Sequence, residues 1–94
     1  MEIQQRQSGN NGSFFVEDGN KVLAEMTYSL RGPKVMVIEH TEVDPSLRGK
    51  NIGMKLVDKG VSYARQNKLK IRATCTFAKK VFDKHPDLYN DILF

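Results

Sequence analysis

Polar and apolar positions alternate through the first half of the chain and recur every three to four residues in the second. Strands are therefore expected first and helices after. Residues 2–7 alternate weakly, as an edge strand does, and Ser8-Gly9-Asn10-Asn11-Gly12 is a turn cluster by composition. Phe14-Phe15-Val16-Glu17 predicts a strand closed by a hairpin turn at Asp18-Gly19. Over residues 21–30, Val22, Ala24, Met26 and Tyr28 alternate with Leu23, Glu25, Thr27 and Ser29, giving one mostly polar face. Arg31-Gly32-Pro33 makes the next turn. Residues 34–43 are the most β-branched stretch, with apolar side chains on both faces, the pattern of a central strand covered on each side.

After Asp44-Pro45 the period changes. Pro45 has no amide hydrogen and restricts the residue before it, so the strand ends there. Met54, Val57, Val61 and Ala64 fall at helix spacing, and a helix is expected over residues 52–67. Gly60 inside it costs roughly 1 kcal/mol relative to Ala, which close packing against the sheet would explain. Residues 69–75 predict a short strand, joined through the helix and hence parallel to the one before it. Phe77, Ala78, Val81 and Phe82 predict a second helix ending near His85-Pro86, and Leu88, Tyr89, Ile92 and Leu93 a final amphipathic turn. The expected architecture is α+β: one domain over residues 1–94, an antiparallel β meander leading into a single βαβ unit, then a C-terminal helical segment.

The stretch between strand and helix holds the densest chemistry. Arg48-Gly49-Lys50-Asn51-Ile52-Gly53 combines two cations with residues that turn backbone N–H groups toward one point. Amides at the start of a helix lack partners and sit at its positive end, so this loop suits a phosphate or pyrophosphate. A plain strand-to-helix turn is the ordinary alternative. The dinucleotide and nucleoside-triphosphatase glycine motifs do not fit.

The same six residues resemble the Arg/Gln-x-x-Gly-x-Gly/Ala coenzyme A loop of the GNAT superfamily of N-acetyltransferases. His40-Thr41-Glu42-Val43 before the loop, and Cys75-Thr76-Phe77 with His85-Pro86 after it, are similar to the small stand-alone YjdJ-type subgroup. The likeness runs from about Phe14 to Leu93. Asn51 departs from it, standing where the first motif glycine is expected; Asn is the next most tolerant of left-handed backbone. The resemblance implies that the two parallel strands splay and that the pantetheine arm of acetyl-CoA enters the gap. The backbone of Glu42 and Val43 would then pair with pantetheine, and the amides of Arg48, Gly49, Lys50, Asn51, Ile52 and Gly53 would take the pyrophosphate. The helix from Phe77 to Phe82 would cover the other side, with Phe77 either a cover or ordinary core. Lys79 and Lys80 either reach the adenosine phosphates or are solvated surface charges.

Acetyl transfer needs a neutral amine, a polarised thioester carbonyl and a proton for the leaving thiolate. In the family pattern the Val43 N–H polarises the carbonyl. His40 and Glu42, two apart on a strand, project from one face near the loop, and either is placed to take the amine's proton. The alternatives are a structural histidine and a solvated carboxylate. His85 before proline fits a helix C-terminal cap, and Tyr89 fits core better than an acid. Cys75, at the end of its strand and the start of a helix, has two readings. It is either a thiolate facing the coenzyme's sulfur, able to accept an acetyl group, or a small buried hydrophobe.

Composition narrows the rest. A length of 94 residues suffices for one core, and a single cysteine excludes an internal disulfide. It points to a reducing compartment, with cytoplasm the default. No apolar run nears the ~20 residues of a membrane span, no signal peptide is visible, and no His/Cys/Asp/Glu spacing resembles a metal site. The net charge of +4 suits a polyanion such as coenzyme A. The leading expectation is an acetyl-CoA-dependent N-acetyltransferase acting on a small-molecule amine, a protein lysine or a protein N-terminus. The second is a coenzyme A-binding protein with little transferase activity, because so short a chain lacks the helices that wall an amine pocket in larger relatives. A nucleic-acid module is disfavoured, since the cations are spread and no aromatic recognition motif appears.

Overall fold

Residues 2–94 are described by a computed structural model. The strands are β1 (Gln4–Ser8), β2 (Asn11–Asp18), β3 (Lys21–Arg31), β4 (Val35–Val43) and β5 (Lys70–Ala73). A 3₁₀ turn at Pro45–Leu47 leads into α1 (Ile52–Gln66); α2 (Thr76–Lys84) and α3 (Pro86–Tyr89) follow β5. In the sheet the strands keep their sequence order, β1-β2-β3-β4-β5, with the first four antiparallel and β5 parallel to β4. This is the expected meander running into a βαβ unit.

The hairpins are tighter than composition suggests. Ser8 pairs with Asn11, and Asp18 with Lys21, so only Gly9-Asn10 and Gly19-Asn20 lie in the loops. Two-residue connections of this kind match the twist of the flanking strands. Asn11 and Gly12 therefore belong to β2 rather than to a turn cluster.

Strand alternation sends Phe14, Val16, Ala24, Met26, Tyr28, Met36 and Ile38 into one core. There they meet Leu56, Val57, Val61 and Ala64 of α1 and Ala78, Val81 and Phe82 of α2. Gly60 has the packing role its cost implied: a Cβ there would lie 2.8 Å from Met26 Cε. Phe14, Tyr28 and Tyr63 cluster with ring centroids 5.4–6.0 Å apart. The opposite face of β4 is less covered than its sequence suggested. Val35 and Val37 are only half-buried, while Met36 and Ile38 are fully buried. The helices share one cluster on one side, and branched residues on the other side serve the pleat rather than a second layer.

One edge of the sheet is closed by the chain's own end. Ile71 N–H donates to Ile92 O at 2.8 Å, and Phe94 N–H donates to Ile71 O at 2.9 Å. Arg65 of α1 holds this segment by a two-pronged pair with Asp91 (2.9 and 3.2 Å) and a bond to Leu88 O. The other edge, β1, is exposed along its whole length.

Candidate active site

Parallel pairing of β4 with β5 stops at Ile38 and Ala73. Just beyond, the β3–β4 register slips: Tyr28 pairs with Ile38 but Thr27 pairs with His40, leaving Glu39 as the extra residue of a bulge. The Ile38 carbonyl accepts both Thr74 N–H (3.0 Å) and Cys75 N–H (3.2 Å), after which β5 turns into α2. From Glu39 to Val43, β4 has no strand partner on its β5 side among the described residues. β4 thus runs on past the end of β5, leaving a gap beside its unpaired backbone edge at the start of α2.

The donors facing that gap follow from the ladder. Asp44 N–H bonds Leu23 O at 2.7 Å, and antiparallel amides point alternately to either side. Glu42 N–H is therefore turned toward β3, while the amides of Thr41 and Val43 point into the gap. This changes the expected pair from Glu42 and Val43 to Thr41 and Val43. Sequence reasoning passed over Thr41, although its two-residue spacing from Val43 was the available signal.

At the mouth of the gap, Asp44 fixes the turn. Its carboxylate accepts Ser46 N–H at 2.9 Å. That backbone bond, with Lys21 at 4.0 Å adding to it, holds the Asp44 carboxyl below the usual carboxylate range. The chain then passes through Gly49 (φ 84°) and Asn51 (φ 59°), both left-handed, so Asn51 takes the backbone that a motif glycine would take. Lys50 N–H is used by Leu47 O, and Lys55 N–H by Asn51 O. Helix α1 starts without a side-chain cap. Among the described residues the amides of Gly49, Asn51, Ile52 and Gly53 have no backbone acceptor outside the helix, and the first-turn amides have none within it. Arg48 and Lys50 are exposed beside these donors, with no carboxylate paired to either among the described residues.

Phe77 stands over this loop rather than in the core. It is 39% exposed, and a Cβ on Gly53 would meet its ring at 2.8 Å. Gly53 is thus a gap between α1 and an aromatic lid, which only a missing side chain keeps open. Lys80 is exposed on α2 near that ring, while Lys79 is turned toward β5, where it lies with Arg72 and Thr74.

Cys75 is 8% exposed, and its thiol is 3.4 Å from Thr41 Oγ1. It lies opposite Thr41, two residues before the Val43 end of β4. His40 and Glu42 pair with Thr27 and Glu25, which alternate with core-facing Met26 and Tyr28, and so occupy the face away from Cys75. His40 Nε2 and Glu42 Oε1 are 2.9 Å apart, both exposed. Two other candidates are spoken for. His85 is the exposed boundary between α2 and α3. Tyr89 is buried, its hydroxyl donating to Asp58 at 3.0 Å; burial first, and that bond second, push its pKa up.

The arrangement is a strand edge without a neighbour that opens onto an uncapped helix N-terminus flanked by two cations. The sequence matches the GCN5-related N-acetyl-transferase family over residues 13–92, and the chain belongs to that family. It is similar to the solution structure of a GCN5-like N-acetyltransferase candidate from Staphylococcus aureus. Identity is 39% and the TM-score 0.75, over 99% of this chain and 87% of that one. An aminoglycoside N-acetyltransferase in complex with CoA shares the fold at 14% identity and TM-score 0.65, over 88% of each chain. Tetrahymena GCN5 shares it at 15% identity and TM-score 0.66, over 80% of this chain and 49% of that one. Protein NATD1 of Danio rerio is 28% identical over 69 residues, which are 73% of this chain and 63% of that protein's length.

Proposed function

We propose that the protein is an acetyl-CoA-dependent N-acetyltransferase of the small stand-alone subgroup, working on an amine in the cytoplasm. The observation that carries this is the strand gap opening directly onto the uncapped N-terminus of α1. Pyrophosphate would take the amides of residues 49–53 and the charges of Arg48 and Lys50. Pantetheine would pair with the strand, and the thioester oxygen would accept from Thr41 or Val43 N–H. The amine arrives from the opposite face, where His40 and Glu42 stand. Its nitrogen attacks the thioester carbon, the C–N bond forms and the C–S bond breaks. The amine's proton passes to the His40–Glu42 pair, and the departing thiolate takes a proton from solvent or from the Cys75 thiol. Transfer is direct, because Cys75 is buried with its thiol directed at Thr41.

A second reading, coenzyme binding with little turnover, is favoured by the two-residue Gly9-Asn10 link, which leaves no helices between β1 and β2 to wall the acceptor. Both readings require CoA and acetyl-CoA to raise the melting temperature. Gly53→Val should abolish that rise while the uncomplexed protein still folds. Arg48→Ala and Lys50→Ala should each weaken binding by roughly 1–2 kcal/mol. A melting curve unmoved by millimolar acetyl-CoA would sink both. Turnover with an amine panel then separates them, and intact mass after acetyl-CoA incubation should show no acetyl group on Cys75.

A further inference from the structure

Beside the point where β5 leaves β4, Arg31, Val37, Arg72, Ala73, Thr74 and Lys79 line a cavity of about 530 Å³. That is within the size of small-molecule sites. Val37 pairs with Ser29 on one side and Arg72 on the other, and Val35 pairs with Arg31. Since Met36 and Ile38 face the core, these side chains stand on the opposite face, the one that carries His40 and Glu42. Thr74 precedes Cys75, so the cavity adjoins the strand gap.

Three of the six lining residues are cations and none is a carboxylate. Arg31 is partly compensated: its guanidinium is 3.8 Å from Glu39 and donates to Ser29 at 3.1 Å. Arg72 lies over the Phe94 ring at 4.9 Å, which leaves its in-plane donors free. Lys79 has no acidic partner among the described residues. Two uncompensated cations in a concave site attract an anion and repel a bare ammonium.

We propose that this cavity holds a carboxylate carried by the acceptor, so that the amine acetylated is one that bears a carboxylate, as an amino acid does. The inference rests on the transferase reading above. The same charges serve the chemistry, because a positive surrounding favours the neutral, nucleophilic amine over its ammonium form. The carboxylate supplies the attraction that the amine alone would lack.

Matched acceptors differing only by carboxylate against methyl test this: glycine against ethylamine, β-alanine against propylamine, 6-aminohexanoate against hexylamine. At least one carboxylate-bearing member should exceed its partner in kcat/KM by about tenfold or more. Arg72→Ala and Lys79→Ala should remove most of that preference while leaving the acetyl-CoA melting shift unchanged. Preference for the alkylamine in every pair overturns the proposal. So does loss of acetyl-CoA binding in either variant, which would give the cavity to the coenzyme's phosphates. Independently of turnover, 6-aminohexanoate should shift the Ala73 and Thr74 backbone amide resonances saturably in CoA-saturated protein. No shift there overturns the assignment even if the coenzyme binds as described.

Discussion

Asn51 shows how a single position sets the geometry of the loop. At φ 59° a side chain with a Cβ ordinarily costs 1–2 kcal/mol, and Asn is among the few that tolerate it. Its side chain caps nothing, so its contribution is its backbone. Asn51→Gly should therefore change stability by less than about 1 kcal/mol and leave coenzyme affinity within a few-fold. Asn51→Val should cost about 2 kcal/mol in chemical denaturation and weaken the coenzyme as well. A large affinity loss in the glycine variant would instead mean that the Asn51 amide group touches the ligand. Gly53 and Gly60 show a different requirement. Neither has an unusual φ, and each is small because a ring or a methionine tip occupies the space of its Cβ.

Between strand and helix, the loop is held by Asp44, and that hold depends on pH. The Ser46 amide lowers the folded-state pKa of Asp44; in the unfolded chain the group titrates near about 4. Below that value the unfolded state binds more protons, so the contribution of Asp44 is present above about pH 4 and is lost as pH falls through the folded value. Arg65 does the same to Asp91 at the C-terminal clamp. Melting temperature should drop below pH 4, and the slope should flatten in Asp44→Asn when the two are scanned together. Elements of this kind were legible in the sequence to different degrees. Strand and helix periods, the Pro45 stop and the glycine-like Asn51 could be read directly, because each is a local property of the chain. The Glu39 bulge could not, since it exists only as a mismatch between β3 and β4. With it went the roles of Thr41 and Glu42, whose amide directions depend on that pairing. Phe77 was ambiguous for a similar reason: helix spacing gives a face, but only the approach of α1 shows that the face ends at Gly53.

Across the described residues, each strand lies beside the strand that precedes it in the chain, and the parallel strands β4 and β5 are bridged by one helix. The loops joining β1 to β2 and β2 to β3 are two residues long and that joining β3 to β4 is three, so β1 to β4 can form with little closure entropy. Only the β4–β5 pair and the C-terminal segment on β5 must wait for distant parts of the chain to meet. Such an order places the chain among mixed α/β domains of intermediate contact order, for which the main refolding phase is on the order of milliseconds to tens of milliseconds. Stopped-flow dilution from urea should show a single dominant phase in that range, and a main phase of many seconds would contradict it. The gap beside β4 is then among the last features to assemble. Coenzyme present during refolding should accordingly slow unfolding strongly and speed folding little, because it meets a finished site only after the barrier has been crossed.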